Sequence, residues 1–323
     1  MPEERVLERW FRLREQGTTV RTEAIAGVTT FMTLSYIFFV QPAVLKAAGM
    51  DPGAVLVATC VASALGTLIM GLFANYPIAL APGMGHNFFF AFTVCIGMNI
   101  PWQTALGAVC ISGVLFILLA SVGLRERIID AIPTSLKSSI AVGIGLLIAF
   151  VGFQWAGLVV DTPGTLVGLG NLTSPPVLLS SFGFVVIAAL MAARVPGAIL
   201  WGIVAAAVAG LPFGLVTYQG IASVPPSLAP TLFQLDVIDP FRRGIVTVIF
   251  IFFFLDLFDT IGTLIGVSQQ AGFIRDGKLP RARQALLADA VASVIGALAG
   301  TSTVLSYIES AAGVAAGGRT GLT

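Results

Sequence analysis

Between Ile245 and Val267 the chain reads IVTVIFIFFFLDLFDTIGTLIGV, an apolar run long enough to cross a bilayer as a helix, with Asp256 and Asp259 its only charged residues. A carboxylate at mid-bilayer depth costs about 2.5–3.5 kcal/mol on insertion scales, so a pair kept there points to a polar pathway rather than to scaffold. Residues three apart on a helix share a face, and Thr263, one turn beyond Asp259, extends that face. Phe252, Phe253, Phe254 and Leu255 supply apolar surroundings. The segment reads as part of a transport site.

The rest of the chain agrees with this setting. It is 57% hydrophobic and 10% charged, whereas soluble domains carry about 25% charged residues. Ten candidate spans follow at roughly 24–45, 53–74, 79–98, 102–123, 138–157, 177–193, 196–214, 244–267, 285–300 and 304–318. The chain is therefore expected to be an all-α polytopic membrane protein. Lys and Arg are scattered over short loops, which excludes a nucleic-acid face and leaves lipid as the surrounding partner. Cys60, Cys95 and Cys110 fall in apolar segments without metal-ligand or redox spacing and read as small buried hydrophobes. No nucleophile and base pair, metal cluster or phosphate loop is present, and there is one histidine, so no enzyme, metal or cofactor is expected.

Residues 1–20 mix charge with Val6, Leu7, Trp10, Phe11 and Leu13 at helical spacing, as in a short helix on a membrane surface. Orientation follows from basic residues. Arg5, Arg9, Arg12, Arg14, Arg21, Arg125, Arg127, Lys137, Arg194, Arg275, Lys278, Arg281 and Arg283 fall on one side, against Lys46, Arg242 and Arg243 on the other. The positive-inside rule then puts the N-terminus in the cytoplasm, with the protein multi-pass in the cell (inner) membrane.

Two spans carry interruptions. Pro82, Gly83 and Gly85 break the third before Asn87, and Gly300-Thr-Ser-Thr303 breaks the tenth before Glu309. Ala24 to Ala81 and Gly244 to Thr301 are both about 57 residues, and the odd number of spans between the two units inverts the second. Paired broken helices in an inverted repeat point to a midplane substrate site. A half-helix start leaves N–H groups that lipid cannot satisfy, so Pro82 to Gly85 and Thr301 to Thr303 are expected as extended backbone facing a cavity. Asn87, Glu309, Asp256 and Asp259 can bond the N–H and C=O edge of a planar heterocycle, with Phe88, Phe89, Phe90 and Tyr307 for stacking. Asn87 also fits interhelical hydrogen bonding, and His86 fits either a packing or a titrating role. Asp289, close to an Arg-rich loop, reads as half of a structural charge pair.

Four stretches resemble the nucleobase:cation symporter group with the uracil-permease fold, and within it the hypoxanthine/adenine/guanine permease branch. They are Thr22 to Thr33 (TEAIAGVTTFMT), Ala81 to Gly85 (APGMG) with Asn87, Leu255 to Gly266 (LDLFDTIGTLIG), and Gly300 to Thr303 (GTST) with Tyr307 to Ser310 (YIES). The resemblance implies an inverted seven-span repeat with broken third and tenth spans. It assigns residues 21–124 (spans 1–4) and 244–323 (spans 8–10) to a core domain, 125–216 (spans 5–7) to a gate domain, and 217–243 to an external loop. It implies a purine nucleobase as partner, held by Asn87, Asp256, Asp259, Glu309, Gly85, Phe89 and Thr303, with His86 and Thr263 as secondary candidates. Coupling falls to Asp256, Asp259 and Glu309, with H⁺ as the cation, and a homodimer stays open. Gln41 and His86 depart from the branch's usual asparagine and aliphatic residue. The same comparison makes the chain truncated after about ten spans, with a non-transporting fragment and an anion transporter of the same architecture as alternatives.

Overall fold

The computed structural model describes residues 2–122, 134–163, 165–195, 197–216, 220, 224–274 and 279–323. Arg125, Arg127, Arg275 and Lys278, and the expected domain boundary at 124/125, lie outside them. The chain divides into two compact units, Met1–Lys137 with Pro225–Thr323, and Ser138–Val224.

In the larger unit, helix α1 (Pro2–Phe11) is followed by α2 (Val20–Leu34), whose first turn is capped by Thr19 accepting from the Thr22 N–H at 3.2 Å. The first span breaks at Ser35 and Tyr36 and resumes as α3 (Ile37–Ala47), which contains Pro42. Helix α4 (Pro52–Ile69) starts where a proline is tolerated, with Asp51 accepting from the Ala54 N–H at 2.7 Å, and runs on as a π-turn over Met70–Ala74. Strand β1 (Leu80–Pro82) precedes α5 (Met84–Phe88), which widens into π-turns over Phe89–Gly97. Helix α6 is Trp102–Val122.

The smaller unit holds most of α7 (Thr134–Trp155), a hairpin of β2 (Val159–Val160) and β3 (Gly168–Leu169), α8 (Pro175–Ala192) and α9 (Ala198–Gly210). Helices α8 and α9 pack together, and small residues let their backbones approach. A Cβ added at Gly183 would meet the Ala206 Cβ at 3.1 Å.

The larger unit then resumes with α10 (Asp239–Arg242), α11 (Val246–Gln270), α12 (Ala282–Ala299), β4 (Val304–Ser306) and α13 (Ser310–Ala315). Helix α12 lies between α4 and α6, α11 packs on α6, and α13 packs on α2. Ala58, Ala62, Ala285, Ala288 and Ala292 fill the centre of this packing, where small side chains bring helices close. Phe31, Leu68, Phe73, Leu118 and Phe250 are exposed, as side chains turned to lipid are.

Among the described residues six helices are long and apolar enough to cross a membrane: Val20–Ala47, Pro52–Ala74, Trp102–Ser121, Pro175–Ala192, Val246–Gln270 and Ala282–Ala299. Met84–Gly97 and Ala198–Gly210 are shorter apolar helices. Two sequence expectations change. The fold is mostly, not wholly, helical, because the interrupted spans pair as strands. Cys60 is exposed rather than buried, since its position on α4 faces outward, while Cys95 and Cys110 are buried.

Candidate functional site

The two interruptions meet. Strands β1 and β4 run antiparallel with Leu80 opposite Ser306, Ala81 opposite Leu305 and Pro82 opposite Val304. The pairing extends at both ends, with the Gly83 N–H donating to the Thr303 carbonyl and the Tyr307 N–H to the Ala79 carbonyl, each at 3.0 Å. Backbone groups inside a membrane must find partners within the protein, and here each broken span supplies the other's. Pro82 to Gly85 and Thr301 to Thr303 were expected to present free N–H groups to a cavity; Gly83 and Thr303 instead bond each other.

Side chains fasten the crossing. Gln41 on α3 donates Nε2 to the Thr301 carbonyl at 2.5 Å and accepts from Asn87 Nδ2. Ser302, held at φ +78°, donates its hydroxyl to Asn87 Oδ1. Tyr307 donates to the Pro82 carbonyl at 2.5 Å. Asn87 and Gly85 are buried, with both ends of the Asn87 amide engaged inside the protein. Thr303 is buried too, and its hydroxyl has no hydrogen-bond partner among the described residues.

The acids of α11 divide between two neighbours. Asp256 is buried, with Thr260 and Ser293 hydroxyls at 3.4 Å, on the side that packs against α12. Asp259 keeps 40% of its side chain exposed, and its Oδ2 lies 3.9 Å from His86 Nδ1 on α5. Glu309, just before α13, is half-buried and accepts the Tyr36 hydroxyl at 2.7 Å. Asp259 and Glu309 lie within electrostatic reach of each other. Thr263 is buried on α11, and Phe89 meets the Phe252 ring edge-on at 5.2 Å.

The structure thus joins Glu309 to Tyr36 and sets Asp259 beside the buried His86, with Asn87, Gly85 and Thr303 buried at the strand crossing and Asp256 buried between helices. Asp289 is held at the crossing as well. It accepts from the Thr260 hydroxyl and from both the N–H and the hydroxyl of Ser306, each at 2.7 Å, bonds that run to α11 and β4. Sequence reasoning missed Tyr36, placed Ser302 only within an extended backbone stretch, and treated Gln41 only as a departure. A tyrosine at a break between two apolar runs was the available signal for Tyr36. Among the described residues no three His, Cys, Asp or Glu side chains are grouped to hold a metal ion.

A sequence profile of the Xan_ur_permease family, a permease family, matches residues 21–323. The chain belongs to the Xan_ur_permease family. It is a membrane permease and not an enzyme. Among members of this permease family, adenine permease AdeP of Escherichia coli K12 is 49% identical over 319 residues, covering 98% of this chain and 72% of AdeP. The guanine/hypoxanthine permease PbuG of Bacillus subtilis is 50% identical over 328 residues, covering 98% of this chain and 74% of PbuG. The transmembrane domain of the cyanobacterial bicarbonate transporter BicA superposes with a TM-score of 0.64 at 18% identity, over 94% of this chain and 78% of that one. That likeness speaks for a shared fold.

Proposed function

We propose that this permease imports a purine nucleobase (hypoxanthine, adenine or guanine) across the cell membrane by symport with a cation, H⁺, with its N-terminus in the cytoplasm. Identity of about half to adenine and guanine/hypoxanthine permeases supports the substrate class. The observation that carries the reading is the placing of two partly exposed carboxylates from separate spans at the crossed strands: Glu309 follows β4, and Asp259 stands beside His86 on the helix that follows β1. Two partly exposed carboxylates from separate spans suit a small flat molecule with N–H groups along its edge, and a carboxylate in a low-dielectric setting is suited to take up a proton with it.

In this reading Asp259 and Glu309 face the base, Phe89 lines its entry, and Asn87, Gly85 and Thr303 hold the wall that fixes their spacing. Asp256, deeper in the helix packing, shares the coupling proton with Asp259 and Glu309. The paired breaks belong to an inverted repeat in which a core (21–124 and 244–323) moves against a gate (125–216).

The test is uptake of labelled hypoxanthine and adenine in cells that lack their own purine transport and express this chain, with and without a proton gradient. Uptake that collapses with the gradient supports the proposal. Purine uptake undiminished in Asp259→Asn and Glu309→Gln variants overturns the site, and uptake of bicarbonate without purine uptake overturns the substrate class.

A further inference from the structure

His86 is fully buried on α5, and neither ring nitrogen has a hydrogen-bond partner among the described residues. A neutral imidazole carries one donor and one acceptor nitrogen, and buried polar groups are almost always paired, so leaving both unmade calls for an explanation. The ring is confined on one side, because a Cβ at Gly83 would stand 2.8 Å from Nδ1 and only glycine leaves it room. Nearby stands Asp259 of α11, whose Oδ2 is 3.9 Å from Nδ1, about 1 Å longer than the usual N–H···O hydrogen bond. The two differ in freedom: the ring is packed, and the carboxylate has 40% of its side chain exposed.

We propose that His86 is a positioning residue for Asp259: when a base binds beside Asp259, the carboxylate turns, His86 Nδ1–H donates to Oδ2, and Oδ1 is left to accept an N–H of the base. This rests on the nucleobase reading above and adds to it a residue that touches the acid and not the substrate. The turn satisfies the buried imidazole donor in the loaded state. It also removes one of the two carboxylate oxygens from the choice of how the base sits, so binding is better defined than Asp259 alone would make it.

The chain has a single histidine, which makes the test direct. Full-length protein with ring-labelled ¹⁵N-histidine and a histidine-free affinity tag, in lipid nanodiscs, gives one imidazole signal set, assigned without mutation. On saturation with hypoxanthine the protonated Nδ1 resonance is expected to move to a hydrogen-bonded position, and Asp259→Asn is expected to abolish the move. In binding assays with labelled hypoxanthine, His86→Leu is expected to weaken affinity about tenfold, the loss of a hydrogen bond to a charged group. His86→Gln, which keeps an N–H donor, is expected to stay within about threefold of the parent. Unchanged imidazole signals in a base-saturated protein overturn the proposal even if the variants fail to fold. So does His86→Leu binding as tightly as the parent, or His86→Gln falling as far as His86→Leu. If the unmutated protein binds no purine base, the nucleobase reading fails and this one with it.

Discussion

Tyr36 donates its hydroxyl to Glu309 Oε1 at 2.7 Å, joining the break of the first span to the foot of the tenth. The bond engages one oxygen of a carboxylate that is itself only half-buried. Tyr36→Phe keeps the ring and removes only the donor. A hydrogen bond to a charged group is worth about 1.5–3 kcal/mol, so the apparent KM for hypoxanthine should rise at least tenfold with the amount of folded protein unchanged. Uptake kinetics beside fluorescence-detected gel filtration separate the two, and an unaltered KM would remove Tyr36 from the site.

Asp289 has the opposite profile. Its two oxygens accept three hydrogen bonds that hold β4 and α11 to α12, far into the helix packing. Asp289→Asn turns one acceptor oxygen into a donor facing other donors, and the expected cost is about 1.5–3 kcal/mol of stability. Thermal unfolding of the purified protein should show a clear drop in midpoint. A variant with unchanged midpoint and lost transport would move Asp289 from scaffold to site.

How far the chain's architecture could be read from its residues follows a physical line. Spans such as Val246–Gln270 are legible because lipid demands an unbroken apolar run, a local property. The interruptions were legible too, since Pro82, Gly83 and Gly300 mark where helical backbone cannot continue. Their mutual pairing was not, because the partner that satisfies the Gly83 N–H is Thr303, distant in sequence, and nothing local names it. The same limit applies to Gln41, Asn87 and Ser302, each polar in an apolar run, whose joint network exists only once three spans converge. Asp256 and Asp259 share a helix face by spacing, yet their neighbours separate them, one against α12 and one toward His86.

Outside the spanning segments, Asp239 accepts from the Thr104 hydroxyl and from Arg243 Nε, both at 2.6 Å. These bonds, Thr104 first, hold its carboxyl below the usual carboxylate range. A depressed acid stabilises the fold above its unfolded pKa of about 3.9 and loses that contribution as pH falls through the folded value. Asp239→Asn should therefore lower the unfolding midpoint slightly at pH 7, and the gap to the parent should close as pH falls below the ordinary carboxylate range. A gap that is constant with pH would show that charge plays no part.

Gly300 ends α12 in a left-handed turn at φ +93° and sends the chain into the crossing. A side chain in that conformation costs about 1–2 kcal/mol. Space adds to the cost, because a Cβ there would collide with the side chain and carbonyl of Thr231, whose hydroxyl donates to the Ala299 carbonyl at 3.0 Å. Gly300→Ala should therefore lose more than about 2 kcal/mol and, by displacing Thr301 to Thr303 from Gln41 and Gly83, lower purine uptake as well. Gly262, in the middle of α11, is the matched control: a Cβ there meets nothing within 4 Å and its φ is not left-handed. Gly262→Ala should be neutral or stabilising by up to about 1 kcal/mol, the helix-propensity difference. Thermal midpoints and uptake measured side by side decide it. Equal effects of the two substitutions would mean that neither the turn nor the contact with Thr231 sets the geometry of the break.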